Sequence, residues 1–252
     1  MAGLSDEYLA DLLYGHAVTN AANCAGIGLQ PRESWPVELI PLVPVADGPA
    51  GMRVIEASGM RTTWFPCETC IAQTWDLKHS EKIGKAIALE IKENNAGVWL
   101  APGMNIHRNV LCGRNFEYYS EDAIMSYICG EAQTLAMAKK GCVGTIKHFC
   151  GNDQETNRHG VATFMTEQAL RQGPLKGFEG ALQKGHSMAT MTAFNRVGCV
   201  PSAADYEIQT QVLRNEWGMR GFALTDYSNT GKTFDIKLGV LAGTDSWDCS
   251  AE

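Results

Sequence analysis

The sequence lacks the features that mark several large classes of protein. None of its apolar runs approaches the ~20 residues that a membrane-spanning helix needs. The 252 residues include 28 acidic and 21 basic side chains, for a net charge of -7, and no basic run is present. Proteins that bind nucleic acid usually carry such a run, because phosphate contacts dominate their affinity. We therefore expect no membrane and no nucleic-acid partner, and a neutral or cationic small ligand fits this charge better.

Motifs for the common cofactor and metal sites are also missing. No G-x-G-x-x-G follows a predicted strand, and no P-loop, H-E-x-x-H, H-x-x-x-H or G-x-S-x-G motif occurs. Cys67 and Cys70 form a single C-x-x-C pair without the second pair that a zinc site would need. We interpret them as two thiols packed at the start of a helix. The sequence predicts no cofactor and no metal.

The cysteines and the N-terminus suggest a reducing compartment. Nine cysteines, an odd number, are scattered along the chain, which favours reduced and mostly buried thiols over a disulfide framework. The first turns contain Asp6, Glu7 and Asp11, and they lack the basic start and apolar core of a signal peptide. We expect a cytoplasmic protein.

Short apolar strands alternate with amphipathic helices along the chain. The predicted strands cover residues 42–47, 62–69, 97–103, 143–149, 187–194 and 221–226, and the predicted helices cover 4–20, 76–94, 120–141, 166–184 and 205–218. This alternation predicts a parallel sheet with both faces covered. We expect one α/β domain over residues 1–252, a (β/α)8 barrel of the TIM type that is incomplete at its C-terminal end. An open doubly wound sheet is the alternative.

Polar side chains follow these strands at the points where the strands end. Asp47, Lys147, His148, Asn195 and Asp226 all occupy such positions. The carboxyl ends of the strands share one face of a barrel, and that face holds the active site. Carboxylates and cationic groups together suit a neutral, polyhydroxylated substrate, because they grip hydroxyls with charge-assisted hydrogen bonds. One carboxylate could attack an acetal carbon.

Four long stretches carry a resemblance to a known family. They are ADGPAGMR at 46–53, APGMNIHRNVLCGRNFEYYSED at 101–122, KHFCGNDQETNR at 147–158 and NEWGMRGFALTDY at 215–227. Together they resemble the barrel domain of glycoside hydrolase family 3, a family that contains many β-glucosidases. The resemblance runs from about Leu4 to Asp245, with the motifs in the family's order.

The resemblance implies a retaining double displacement in which Asp226 is the nucleophile. It also implies that the first sugar is held by one carboxylate and by the basic groups of three motifs: Asp47, Arg114, Lys147, His148 and Arg158. Arg114 and Arg158 would keep the surroundings of the nucleophile cationic and so favour its ionised form. Arg108 and the segment 115–122 are interpreted as structural, with Ser120 starting the next helix.

Three departures from the family pattern stand out. Phe194 replaces the Tyr whose hydroxyl the family places beside the nucleophile, and Tyr227 replaces a Trp, which leaves a smaller wall for the sugar. The resemblance implies that relatives of this type carry the general acid/base on a second α/β domain, and we expect no such domain within these 252 residues. Candidates for that role within the chain are Asp153, Glu155, Asp205 and Asp245, and His159 lies outside the family's catalytic-histidine pattern.

We therefore expect an exo-acting β-glucosidase that removes terminal non-reducing β-D-glucosyl residues from a β-glucoside or a short β-linked oligosaccharide. Two alternatives stay open. One is a β-xylosidase on the same scaffold. The other is a sugar-binding barrel with little catalysis until a partner domain supplies the acid/base. An unclosed barrel exposes an edge or an apolar flank, so we also expect a homo-oligomer or association with the missing domain.

Overall fold

A computed structural model describes residues 5–13, 26–27, 42–54, 59–227 and 235–248. Its strands are β1 (Gly26–Ile27), β2 (Val43–Asp47), β3 (Val98–Leu100), β4 (Val143–Phe149), β5 (Ala162–Thr163), β6 (Ala189–Thr192), β7 (Arg196–Val197), β8 (Val200–Pro201) and β9 (Phe222–Thr225). Its α-helices are α1 (Asp6–Asp11), α2 (Glu68–Gln73), α3 (Leu77–Glu93), α4 (Ala123–Ala138), α5 (Glu167–Gln172), α6 (Pro174–Gln183) and α7 (Ile236–Ala242). Short 3-10 turns cover Asn115–Glu117 and Ser202–Ala204, and a π-helix covers Glu207–Glu216.

A curled six-stranded sheet forms the centre of the molecule, in the order β1-β2-β3-β4-β6-β9. The strands from β2 to β9 are parallel, and β1 lies antiparallel to β2 at one edge. Beyond β9, Leu224 forms a parallel bridge with Ser246. A second, three-stranded sheet contains β5, β7 and β8. The expected α/β fold of the TIM-barrel type is confirmed, and the described residues form a curled, incomplete barrel.

Side chains alternate between two apolar layers across the sheet. The outer layer packs under α3, α4 and α6 and includes Ile87, Trp99, Ile146 and Phe178. The inner layer lines the concave face. It consists of Val45, Val98, Leu100, Met191 and Leu224, with Val43, Val143 and Phe222 packed against it. Inward rows of bulky side chains are the usual filling of a barrel.

Helices α3 and α4 and the π-helix begin and end close to the predicted positions, whereas the helix predicted at 166–184 has a break that the sequence pattern did not indicate. Residues 166–184 form α5 and α6 rather than one helix, because Gly173 has φ −109° and ψ −98°, which are not helical values. Pro174 then starts α6, where a missing N–H matters least. The N-cap of α4 is Asp122, whose carboxylate accepts from the N–H of Ile124, whereas Ser120 accepts from the N–H of Asp122. The prediction that Ser120 starts this helix is therefore wrong.

Two further predictions need correction. The strand predicted at 62–69 is absent: the N–H of Phe65 donates to Ala50 O, Pro66 has no N–H to offer a neighbouring strand, and residues 68–69 belong to helix α2. The first helix ends at Asp11, and residues 14–20 of its predicted span lie outside the described residues.

Helices of the described part of the chain all fall short of the length and apolarity needed to cross a bilayer.

The described cysteines are all free, as the odd count suggested. Cys112, Cys129, Cys142 and Cys150 are buried, whereas Cys70 and Cys199 are exposed. Cys67 occupies the N-cap position of α2, and its sulfur lies 3.5 Å from that of Cys70. The two thiols of the C-x-x-C pair therefore do lie at a helix start, as predicted, although Cys70 is open to solvent.

Gly221 allows β9 to pair closely with β6, and this pairing fixes the position of Asp226 directly after β9. A Cβ atom at this position would lie 1.6 Å from the carbonyl oxygen of Met188, which accepts from the N–H of Phe222. We expect Gly221→Ala to lower the free energy of unfolding by about 1–3 kcal/mol, because the backbone must shift to admit the methyl group. Urea titration measures the change.

The control is Gly113→Ala, because a Cβ atom there meets nothing within 4 Å. This substitution should change stability by no more than about 0.5 kcal/mol. Equal stabilities for the two variants would contradict the close packing of β9 on β6.

Candidate functional site

The inner rows of the sheet continue into charged residues at the carboxyl ends of the strands. Because side chains alternate along a strand, Asp47 follows Val45, Lys147 follows Val143, and Asp226 follows Leu224 on the concave face. The structure thus places three of the predicted site residues at the same edge of the sheet. The predictions of their individual roles stay predictions.

Asp47 and Lys147 form an ion pair between the ends of β2 and β4. Lys147 Nζ lies 2.8 Å from Asp47 Oδ1, and Arg53 Nη1 lies 3.8 Å from Asp47 Oδ2. Burial raises the pKa of Asp47, but attraction and the hydrogen bond from Lys147 outweigh it, so the net shift is downward. Burial lowers the pKa of Lys147, but attraction to Asp47 and Glu117 outweighs it, so the net shift is upward. Both groups are therefore charged.

His148 lies between three groups that fix its orientation. The backbone N–H of His148 donates to Asn105 Oδ1 at 2.7 Å. Its Nε2 is 2.9 Å from Arg114 Nη2, and its Nδ1 is 3.0 Å from the hydroxyl of Tyr118. A guanidinium group can only donate, so Nε2 of His148 accepts a hydrogen bond from Arg114. Nδ1 then carries the ring proton and donates a hydrogen bond to the hydroxyl of Tyr118. Burial, and then the charges of Arg114, Lys147 and Arg158, hold the pKa of His148 well below its usual value.

A second ion pair holds Arg114. Its Nε donates to Glu117 Oε1 within the 3-10 turn Asn115–Glu117. The pKa of Arg114 is raised: burial lowers it, but the Coulombic effects of Tyr118 and Glu117 prevail. Arg114 is therefore a fixed cation beside both His148 and Asp226.

Arg158 is held from two sides. Its Nη1 donates to Glu155 Oε2 at 2.8 Å, and its guanidinium carbon lies 4.5 Å from the centre of the Phe194 ring. The His159 ring packs against the same phenyl group, 4.2 Å away between ring centroids. Phe194 is itself buried, so its ring is a fixed surface against which Arg158 and His159 pack.

Asp226 has one satisfied and one free carboxylate oxygen. Oδ1 accepts from the backbone N–H of Tyr227 at 2.7 Å. Oδ2 lies 3.6 Å from His148 Nε2 and is buried without a hydrogen-bond partner in the described part of the chain. The side chain is only 14% exposed.

Burial and nearby cations shift the pKa of Asp226 in opposite directions. Arg114, Lys147 and Arg158 each lower the pKa of Asp226, as expected for nearby cations. Burial has the larger effect, so the net shift is upward. The sequence supplies the cations but not the degree of desolvation, which depends on the packed structure.

The other carboxylates considered for the acid/base role are occupied with local contacts. Asp153 pairs with Arg108 at 2.9 Å, which also agrees with the structural interpretation of Arg108. Glu155 holds Arg158, Asp205 accepts from Ile208 N at the π-helix, and Asp245 pairs with Arg214 while it accepts from Ala223 N.

Several residues of the site were not selected from the sequence. Glu117, Tyr118 and Asn105 orient Arg114 and His148, and Asp248 approaches Asp226 from the segment after β9. Glu117 and Tyr118 were inside a quoted motif but were interpreted as loop residues. Tyr227 is 58% exposed, and Asn195, another strand-end candidate, bonds to Cys150 O rather than facing Asp226.

The described residues contain no group of three or more His, Cys, Asp or Glu side chains suited to a metal. What they do contain is a buried carboxylate with a free oxygen, surrounded by three cations and a neutral imidazole. Such a carboxylate can attack an electrophilic carbon, and the neighbouring ion pairs can bind hydroxyl groups.

Comparison with known proteins identifies the family. The sequence profile described as "Glycosyl hydrolase family 3 N terminal domain" matches residues 12–246. Beta-glucosidase A of Butyrivibrio fibrisolvens is 38% identical over 245 residues, which cover 97% of this chain and 29% of that protein. A beta-glucosidase of Ruminococcus albus is 40% identical over 188 residues, which cover 75% and 20%.

A solved structure agrees with these matches. Beta-glucosidase 3B from Thermotoga neapolitana, in complex with α-D-glucose, superposes with a TM-score of 0.86 at 36% identity, over 97% of this chain and 35% of that one. The chain thus spans about a third or less of the length of these relatives. Sequence profile and structure together show that the chain belongs to glycosyl hydrolase family 3 and corresponds to the N-terminal domain of that family.

Proposed function

We propose that this domain forms the nucleophile side of a retaining, exo-acting β-glucosidase, with Asp226 as the nucleophile. The observation that carries the proposal is the free oxygen of Asp226. Oδ2 is buried, has no partner among the described residues, and is surrounded by cations that stabilise its charge. The relatives are named beta-glucosidases, and one was solved with glucose, which supports a glucoside as the substrate.

The reaction proceeds in two displacements. Oδ2 of Asp226 forms a bond to the anomeric carbon while the bond from that carbon to the leaving oxygen breaks, and the leaving oxygen takes up a proton. Water then attacks the same carbon, loses a proton, and releases Asp226. Each step inverts the carbon, so the configuration is retained overall.

The sugar is held by the groups that surround Asp226. Asp47 accepts from sugar hydroxyls while Lys147 neutralises it at 2.8 Å. Arg114 and Arg158 donate to other oxygens of the sugar, and His148 is fixed as a neutral group by Tyr118. Tyr227, exposed beside Asp226, offers a ring to one face of the substrate.

The general acid/base is proposed to come from outside the described residues, from a further domain or another chain. The candidates within the sequence already bond to Arg108, Arg158, Ile208 N or Arg214, as described above. The chain matches only about a third or less of the length of its relatives, so the remaining two thirds of those proteins are long enough to include a domain with such a group.

Exposed apolar side chains suggest where a partner associates. Trp64, Val110 and Leu111 are 91%, 92% and 87% exposed, and Trp75 and Val110 border the same surface depression. Removing large apolar side chains from water is the main driving force of association. We propose that the depression bordered by Trp75 and Val110 is covered by a second copy of the chain or by a further domain.

We expect 2-deoxy-2-fluoroglucosyl fluoride to label Asp226 at one sugar per chain. The reagent needs little acid assistance, so a missing general acid does not prevent the first step. The fluorine slows the second step, so the glycosyl-enzyme accumulates. Intact-mass and peptide mass spectrometry measure the extent and the position of labelling, and Asp226→Asn should abolish it. Labelling should increase as pH rises through the raised pKa of Asp226, because the ionised form attacks.

The matched control is Asp76→Asn, at the N-cap of α3, where Asn serves as well as Asp. It should label like the unchanged chain. A folded chain that binds glucose but is not labelled would leave a sugar-binding barrel as the better interpretation. Faster labelling by the corresponding 2-fluoroxyloside would indicate a β-xylosidase.

We expect Phe194→Leu to weaken glucose binding about 3- to 30-fold. The phenyl ring holds the Arg158 guanidinium group at 4.5 Å, and a partly buried cation–π contact contributes about 0.5–2 kcal/mol. Isothermal titration calorimetry measures the dissociation constant. Phe164→Leu is the control, because the Phe164 ring is 72% exposed. Equal weakening in both variants would contradict a specific role for Phe194.

We expect the chain to associate at micromolar concentration, with a mass of at least two chains by light scattering. The double variant Val110→Ser, Leu111→Ser should shift it towards the monomer, because it removes exposed apolar area. Lys85→Ser, on the exposed face of α3, is the control and should leave the mass unchanged. A monomer in the unchanged chain would argue against self-association and would leave a further domain as the partner.

A further inference from the structure

The segment after α7 brings a further carboxyl group to the site. Thr225 N donates to Ser246 O at 2.9 Å, and Leu224 and Ser246 form a parallel bridge. Asp248 N donates to Thr225 Oγ1 at 3.1 Å. Residues 246–248 therefore run alongside the end of β9, in the position of the next barrel strand.

The register of this pairing places two carboxyl groups side by side. Asp226 and Asp248 each lie two residues beyond the Leu224–Ser246 bridge. Side chains alternate with a period of two, and neighbouring strands lie about 4.8 Å apart. Asp248 therefore points to the same concave face as Asp226, as its immediate neighbour.

The charges around the two carboxyl groups are unequal. Asp226 faces the cations Arg114, Lys147 and Arg158. Asp248 faces the carboxylates of Asp226, directly after β9, and of Asp47 on β2. Its one opposing cation among the described residues is Lys147 on β4, which already bonds to Asp47. Burial and repulsion from Asp226 and Asp47 raise the pKa of Asp248 to about 7, against the opposing effect of Lys147.

We propose that Asp248 and Asp226 act as a carboxyl pair that carries one proton in mildly acidic solution, with Asp248 protonated and Asp226 ionised. Asp248 is thus a positioning residue. By staying neutral it keeps a second negative charge away from the nucleophile and leaves Lys147 to Asp47. The proton arrangement stands independently of the reaction, and only its consequence for the nucleophile rests on the proposed function.

Infrared spectroscopy tests the arrangement directly. At pH 6 the unchanged chain should show the carbonyl band of a protonated carboxylic acid that Asp248→Asn lacks, and this difference should vanish by pH 8.5. Glu68, which is buried with a strongly raised pKa, should contribute a band that persists in the variant. Asp245→Asn is the matched control, because Asp245 lies three residues away, pairs with Arg214, and should leave the difference band intact.

Stability supplies a second readout. Asp248 stays protonated in the folded chain up to about pH 7 but ionises near pH 3.9 when unfolded, so its contribution to stability falls as pH rises from about 4 to about 7. Relative to the unchanged chain, Asp248→Asn should lower the unfolding constant at least tenfold more at pH 8 than at pH 4. Chemical denaturation at the two pH values measures it.

A third measurement covers the case in which the variant does not fold. Carboxyl 13C resonances of aspartate-labelled, unchanged chain should include one that titrates near pH 7. The proposal is overturned if no aspartate titrates there, or if the pH 6 band is the same in Asp248→Asn. Loss of Asp226 labelling with an intact carboxyl pair would instead overturn the proposed function alone.

Discussion

The whole site depends on a buried ammonium group that has to be paired. Lys147 lies at the end of β4, almost inaccessible to solvent, and its partner Asp47 lies a hundred residues earlier at the end of β2. Removing one member of such a pair leaves an uncompensated charge in a dry environment, which is far more costly than the pair itself is stabilising. The pair therefore fixes the relative positions of two strand ends, and with them the edge on which Asp226 lies.

Much of the fold was predictable because its signals are local. The apolar runs at 143–149 and 221–226 gave strands close to their observed bounds, and the alternation with helices gave the parallel sheet. The break at Gly173 is local, because Pro174 begins a new helix there, and the periodic pattern of the sequence did not indicate it. The absence of the strand predicted at 62–69 depends instead on a backbone contact with a residue distant in the sequence, that of Phe65 with Ala50. Periodicity does not report such contacts.

The sequence indicated which residues form the site better than it indicated their pKa values. Strand-end positions and family motifs selected Asp47, Lys147, His148 and Asp226, and the structure brings these residues together. The direction of the pKa shift of Asp226 depends on the balance between burial and three cations, and a sequence gives only the cations. Asp248 was missed because its importance arises from a strand register that follows a gap in the predicted elements.

The hydrogen bonds of His148 have a consequence for how the site responds to acidity. Its ring accepts a hydrogen bond from Arg114 at Nε2 and donates one to Tyr118 from Nδ1, so both ring nitrogens are already hydrogen-bonded. A histidine held in this way is a fixed dipole rather than a titrating group. His148, which lies against Asp226, therefore does not buffer the site across the range in which free histidines change charge. Among the described residues that surround Asp226, the groups that change charge near neutral pH are therefore carboxyl groups and not histidine.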